Sequence, residues 1–134
     1  MNKAPLHQVR RVATENSPEL ICLFDKTPVT VVVDSGATSN IVSYDLVQKL
    51  KIPMSKPSQL ATTTDSHRLD VVGEVDIKLY YGGLGLSLDA LVAKGISDEI
   101  LGGMPFMKSD DIGVRPKFNE ISIQGTPVSV SSVT

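Results

Sequence analysis

Residues 31–40 read VVVDSGATSN, and the reading of the whole chain turns on this stretch. Val31, Val32 and Val33 are β-branched and run straight into Asp34. An unbroken apolar run of this kind predicts a strand buried on both faces. Ser35, Gly36, Ala37 and Thr38 follow at once, all of them small. Glycine at 36 lets the backbone turn sharply and approach a ligand closely, and the Ser35 and Thr38 hydroxyls can bond the loop or a neighbour. A carboxyl held at the end of such a strand is partly desolvated. Its protonation can therefore be tuned, as acid–base catalysis requires. An Asp-Ser-Gly triplet alone has little specificity, and an aspartate that merely caps a turn is the bland alternative. The strand before it and the small residues after it tip the balance toward chemistry.

Outward from this segment the chain reads as short strands between turn signals. Leu20–Phe24, the turn Asp25–Pro28 and Val29–Val33 predict a hairpin that delivers Asp34. Downstream, Ile41-Val42 is a short apolar step. Ser43 is a good N-cap for a helix over Tyr44–Lys51, with Asp45 near its positive end, Asp45 and Lys49 spaced i,i+4, and Pro53 beyond. Val75, Ile77, Leu79 and Tyr81 alternate with polar neighbours, as do Leu84, Leu86, Leu88 and Ala90. The Gly82-Gly83 pair between these runs predicts a second hairpin, because both glycines can take positive φ. Ile100-Leu101 is a further short strand, Met104–Lys108 one helical turn and Ile121–Ile123 a late strand. The expected class is all-β, a small barrel or sandwich with one or two short helices.

Composition narrows the function. The chain has 134 residues and 41% hydrophobic residues, enough for one domain with its own core. No apolar run approaches the ~20 residues of a membrane span, and the polar N-terminus has no secretory-signal pattern. A net charge of −2 argues against a nucleic-acid binder, and Arg10-Arg11 is too short a basic patch to reverse that. One cysteine and two histidines leave a metal site of the usual ligand types improbable, and no cofactor motif is present. Cys22, inside an apolar run, reads as a buried core thiol, and a lone cysteine fits a reducing, cytoplasmic setting. His7 reads as solvated and His67 as an exposed turn residue. Residues 1–18 read as a polar arm or linker, 19–125 as the domain and 126–134 as a tail.

VVVDSGATSNIVS resembles the active-site strand and loop of the retropepsins, the aspartic proteases of retroviruses and LTR retrotransposons. The resemblance is ordered over roughly residues 19–125. A hairpin leads into DSGAT, then come a short helix, a candidate flap and finally ILG. TDSHRLDVVGEV, residues 64–75, fits the flap register, with Gly73 as its closing glycine. ILGGMPFM, residues 100–107, looks like the family's apolar pair, glycine and helix, whose glycine loop packs beside the catalytic loop. Two departures stand out. Ser66 occupies a position where a flap-tip glycine is common, and Gly102-Gly103 supplies one glycine more than usual. Either can be the structural glycine, and the direct succession after Ile100-Leu101 favours Gly102.

The resemblance implies a closed acid-protease barrel acting as a homodimer, since the chain has one DSG loop and is too short for two lobes. It implies Asp34 as the catalytic residue of each subunit, and Ser35 hydroxyls holding the two loops together across the axis. Gly36, Ala37 and Thr38 would bind an extended peptide, the flap Thr64, Asp65, Ser66 and His67 would close over it, and Ile100, Leu101 and Gly102 would support the loop. The implied role is polyprotein processing, in the cytoplasm or within a retroelement particle, or that of a domesticated cellular protease. Two other functions compete. A catalytically silent barrel kept for peptide binding or assembly is supported only by Ser66. A phosphate-binding loop of the actin-like ATPase kind needs larger α/β domains than this chain can hold.

Overall fold

The computed structural model describes residues 18–56, 70–115, 120–128 and 131–132. β1 (Pro18–Phe24) and β2 (Thr27–Val33) form the expected hairpin, paired from Glu19↔Val32 to Phe24↔Thr27, with Asp25 left-handed at φ 59 in the turn. β1 starts one residue earlier than the arm-to-domain boundary expected at 18/19, since a strand's first position tolerates proline. β3 (Ile41–Ser43) leads into α1 (Tyr44–Leu50). The Ser43 hydroxyl caps α1 by accepting from the Leu46 amide at 3.0 Å. Lys51, expected inside the helix, turns left-handed at φ 55 and ends it.

β4 (Asp70–Tyr81) and β5 (Leu84–Lys94) are the long hairpin, with Gly82 at φ 56 and Gly83 at φ 88 in its turn. Val75, Ile77 and Leu79 on β4 face Leu86, Leu88 and Ala90 on β5 in the core, as the alternation predicts. Tyr81 and Leu84, beside the turn, are half-buried. A bulge between Val71 and Gly73 shifts the register. Beside it, Ser55 and Glu74 exchange backbone hydrogen bonds of 2.9 Å. Gly73 permits this approach, because a Cβ there would sit 2.8 Å from the Ser55 carbonyl oxygen. Thr64, Asp65, Ser66 and His67, expected to form a flap, lie outside the described residues.

β6 (Ile100–Gly102) is what closes the architecture. It lies parallel to β2, through Val31↔Ile100 to Val33↔Gly102, and antiparallel to β3, which itself runs parallel to β5. Together with the β1–β4 contact at Leu23↔Tyr80, this gives a closed ring in the order β1-β2-β6-β3-β5-β4. The fold is the expected all-β barrel with short helices. Val31 and Val33 enter the main core, while Val32 packs with Ala37, Ile41, Ala93 and Leu101 in a second, smaller cluster. That division is why the Val31–Val33 run is apolar without alternation.

After β6 come α2 (Met104–Ser109) and a separate antiparallel sheet of β7 (Ile112–Arg115), β8 (Glu120–Ile123) and β9 (Thr126–Val128). α2 and β8 match the expected helical turn and late strand, whereas β7 was not foreseen. The stretch expected as a tail is partly strand as well. β9 pairs with β8 across a Gln124-Gly125 turn, and β10 (Ser131–Ser132) pairs with β1 at Glu19↔Ser131. Thr-Pro-Val and Ser-Ser have little strand pattern of their own, and it is the neighbouring strands that recruit them.

Candidate active site

The loop 34–40 connects β2 to β3, but β6 lies between those two strands. The loop must therefore arch over the end of β6, and everything about the site follows from that crossing. Asp34 stands where β2 ends and is only 2% exposed. Its amide donates to the Gly102 carbonyl at 2.9 Å, continuing the β2–β6 ladder by one bond. Its carboxylate Oδ1 accepts from the Gly36 amide at 2.8 Å, and its carbonyl accepts from the Ala37 amide at 3.1 Å. The side chain is thus fixed by its own loop as well as by the strand.

The structure brings the other expected loop residues together around Asp34 in two groups. Ser35, Gly36 and Thr38 are exposed at the crest, available to whatever meets this surface. Ala37 is fully buried and anchors the loop in the smaller cluster beside Leu101. Ile100 and Leu101 are fully buried beneath it.

Both glycines prove structural, each for its own reason. A Cβ at Gly102 would lie 2.5 Å from the Phe106 ring. One at Gly103 would lie 2.6 Å from the Ser39 carbonyl oxygen and 2.7 Å from that of Ala37. It is Gly103 that lets the 34–40 loop settle on the segment leading to α2, while Gly102 supplies the carbonyl that holds the Asp34 amide.

Sequence reasoning missed Asn40. It is 5% exposed, and its Oδ1 accepts from the Gly103 amide at 2.9 Å and the Phe106 amide at 3.2 Å. Its Nδ2 donates to the Asp89 carbonyl of β5 at 2.9 Å. Gly103 is the N-cap position of α2 and has no side chain to cap it, so Asn40 caps that helix from another part of the chain. The available signal was an asparagine set between a polar loop and the buried Ile41-Val42 step.

Cys22 is buried as expected, and burial pushes its thiol up to about 12. It is a core residue with no nucleophilic role at neutral pH. Among the described residues, no cluster of three His, Cys, Asp or Glu side chains could hold a metal ion, and no helix is long and apolar enough to cross a membrane.

A closed β-barrel with an aspartate at the end of a buried strand, in an Asp-Ser-Gly loop crossing a glycine-ended strand, defines the retropepsin-like aspartic proteases. Solved structures show the same fold. The retroviral protease-like domain of Ddi1 from Leishmania major superposes with a TM-score of 0.65 at 16% identity, covering 88% of this chain and 94% of that one. EIAV protease, in complex with the inhibitor HBY-793, gives 0.50 at 18% identity over 71% and 88%. A retropepsin-like aspartic protease from Rickettsia conorii gives 0.51 at 14% over 85% and 83%. Residues 21–109 match the family described as "gag-polyprotein putative aspartyl protease". The chain belongs to that family. Among curated proteins nothing matches.

Proposed function

We propose that the protein is an aspartic endopeptidase that works as a homodimer, with Asp34 of each subunit forming the catalytic pair. The observation that carries this reading is the single buried Asp34, locked at a strand end by the Gly102 carbonyl and the Gly36 amide. One carboxyl cannot at once take a proton from water and give one to a carbonyl, and the chain supplies one such loop. Two copies meeting at this loop make the site complete. With one proton shared between the pair, the ionised Asp34 accepts a proton from water as the water oxygen bonds to the scissile carbonyl carbon. The protonated Asp34 gives its proton to the carbonyl oxygen. The gem-diol intermediate then collapses: its C–N bond breaks as the amine takes the proton from the now protonated Asp34, and a gem-diol hydroxyl gives its proton to the other Asp34, restoring the shared proton. The two protons titrate as one coupled system.

In such a dimer Ser35, exposed at the crest of the loop, would bond its counterpart across the axis. Gly36 and Thr38 offer exposed backbone to an extended peptide bound as an added strand. A retroelement polyprotein is the substrate the family affiliation favours. The test is self-cleavage of a precursor carrying this chain, wild type beside Asp34→Asn, from mildly acidic to neutral pH. Cleavage by wild type alone supports the proposal. Cleavage by both, or by neither while the protein is folded and dimeric, refutes it.

A further inference from the structure

We infer that Asn40 is a positioning residue for Asp34, acting through Gly103 and Gly102 rather than by touching substrate. The inference rests on the protease reading for its kinetic consequences, but its structural core is independent of it. Three consecutive residues grip the active-site loop: the Gly102 carbonyl holds the Asp34 amide, the Met104 amide donates to the Ala37 carbonyl, and the Gly103 amide donates to Asn40 Oδ1. The first two contacts are backbone to backbone and would form with many sequences. The third is the only one of the three made by a side chain, so a single substitution can remove it.

The Asn40 amide is held at both ends. Oδ1 faces two N–H donors, Gly103 and Phe106, and Nδ2 faces the Asp89 carbonyl. Turning the amide over would set NH2 against two N–H groups and an oxygen against a carbonyl, so one orientation is fixed. The group is buried, and removing it leaves two amides and a carbonyl without this partner. Asn40 therefore pins the start of α2 to β5, and the Gly102 carbonyl lies one residue before the pinned Gly103. Loosening Gly103 frees Gly102, and with it the bond that sets the Asp34 backbone at the end of β2. A displacement of ~1 Å at a reacting group can cost about a hundredfold in rate.

The experiment compares wild type, Asn40→Ala and Asn40→Asp by amide hydrogen exchange and by peptide-cleavage kinetics normalised to folded protein. Asn40→Ala is expected to speed exchange at the Gly103, Phe106 and Asp34 amides by about tenfold or more, while the β4–β5 amides keep their wild-type protection. The same variant should lower kcat with KM nearly unchanged and shift the limits of the pH–rate profile, because the spacing of the Asp34 pair sets its shared titration. Asn40→Asp keeps the acceptor for Gly103 and Phe106 but, when ionised, sets an oxygen against the Asp89 carbonyl, so it should restore protection at the Asp34 amide only in acid, where its protonated carboxyl can donate to that carbonyl. If Asn40→Ala does not fold, Asn40→Ser carries the same expectation, since its hydroxyl falls short of both amides. An unchanged Asp34 amide, or one that accelerates only in step with the whole barrel, overturns the inference. Should wild type and Asp34→Asn both lack cleavage, the protease reading fails, and the exchange comparison still decides the role of Asn40.

Discussion

Replacing Gly103 by alanine separates crowding from every other effect a glycine can have. Gly103 has φ −95 and ψ −159, a conformation any residue adopts, so the substitution carries no backbone strain. What it carries is a Cβ set 2.6 Å from the Ser39 carbonyl oxygen, 2.7 Å from that of Ala37 and 3.1 Å from the Ala37 Cβ. Ordinary contact lies near ~3.5 Å, so the loop must back away by roughly 0.9 Å, or share that shift with α2. The neighbours are mostly backbone, and Ala37 is fully buried, so neither side yields cheaply. Overpacking of this kind costs about 1–3 kcal/mol, which for a domain of this size lowers Tm by about 3–10 °C. The loop that retreats is the one that holds Asp34, so kcat/KM should fall by about tenfold to a hundredfold. Gly125→Ala is the control. There φ is +85 and the added Cβ meets nothing within 4 Å, so it costs ~1 kcal/mol of strain in a turn of the separate β7–β9 sheet and should leave activity alone. Thermal denaturation and peptide-cleavage kinetics on the two variants decide the matter. A Gly103→Ala protein with wild-type Tm and activity, or one no worse than Gly125→Ala in both, would refute the crowding argument.

Three further outcomes follow from local geometry. Asp76 and Asp89 are directly opposite across β4 and β5, and the Asp89 carboxyl is pushed up, first by its side-chain hydrogen bond with Asp76, then by burial and the Asp76 and Glu74 charges. A raised folded-state pKa means stability that is full at low pH and lost as pH rises through that value. Asp89→Asn should therefore stabilise the fold at neutral pH, by on the order of a few tenths of a kcal/mol at this exposed site, with the gain vanishing in acid; urea midpoints across pH show it. The Cys22 thiol, buried and pushed up to about 12, should resist a disulfide reagent at pH 8 in the native state and react at once on unfolding. Ser43→Ala removes the α1 cap at Leu46 and should cost about 1 kcal/mol in urea denaturation.

The parts of this fold legible in the sequence are those whose signal is local. The alternation of Val75, Ile77 and Leu79 with Asp76 and Lys78, and the Gly82-Gly83 turn, give β4 and β5 because period and turn chemistry lie within one stretch. The Val31–Val33 run shows a strand covered on both sides, but not that Val32 faces a different cluster from its neighbours. The position of β6 between β2 and β3 was beyond reach, since its parallel pairing joins residues about seventy positions apart and leaves no local pattern. Asn40 was missed for the same reason. Its partners Gly103, Phe106 and Asp89 are distant in sequence, and a buried asparagine reads like any loop asparagine until its bonds are seen. The reverse holds for Gly102 and Gly103. The resemblance implied one structural glycine there, and only the contacts of each Cβ show that both positions need one.

The claim on which the functional account depends is that two Asp34 carboxyls, one from each chain, make one active site. It is tested most directly by mixing wild-type and Asp34→Asn subunits at fixed total concentration, allowing exchange, and reading peptide cleavage against the wild-type fraction. If each site needs both aspartates, activity follows the square of that fraction, and an equal mixture retains about a quarter of the wild-type rate. Activity that falls in simple proportion, with about half remaining in the equal mixture, would mean that each Asp34 works independently, and about three quarters remaining would mean that one Asp34 per dimer suffices; either result would contradict the account.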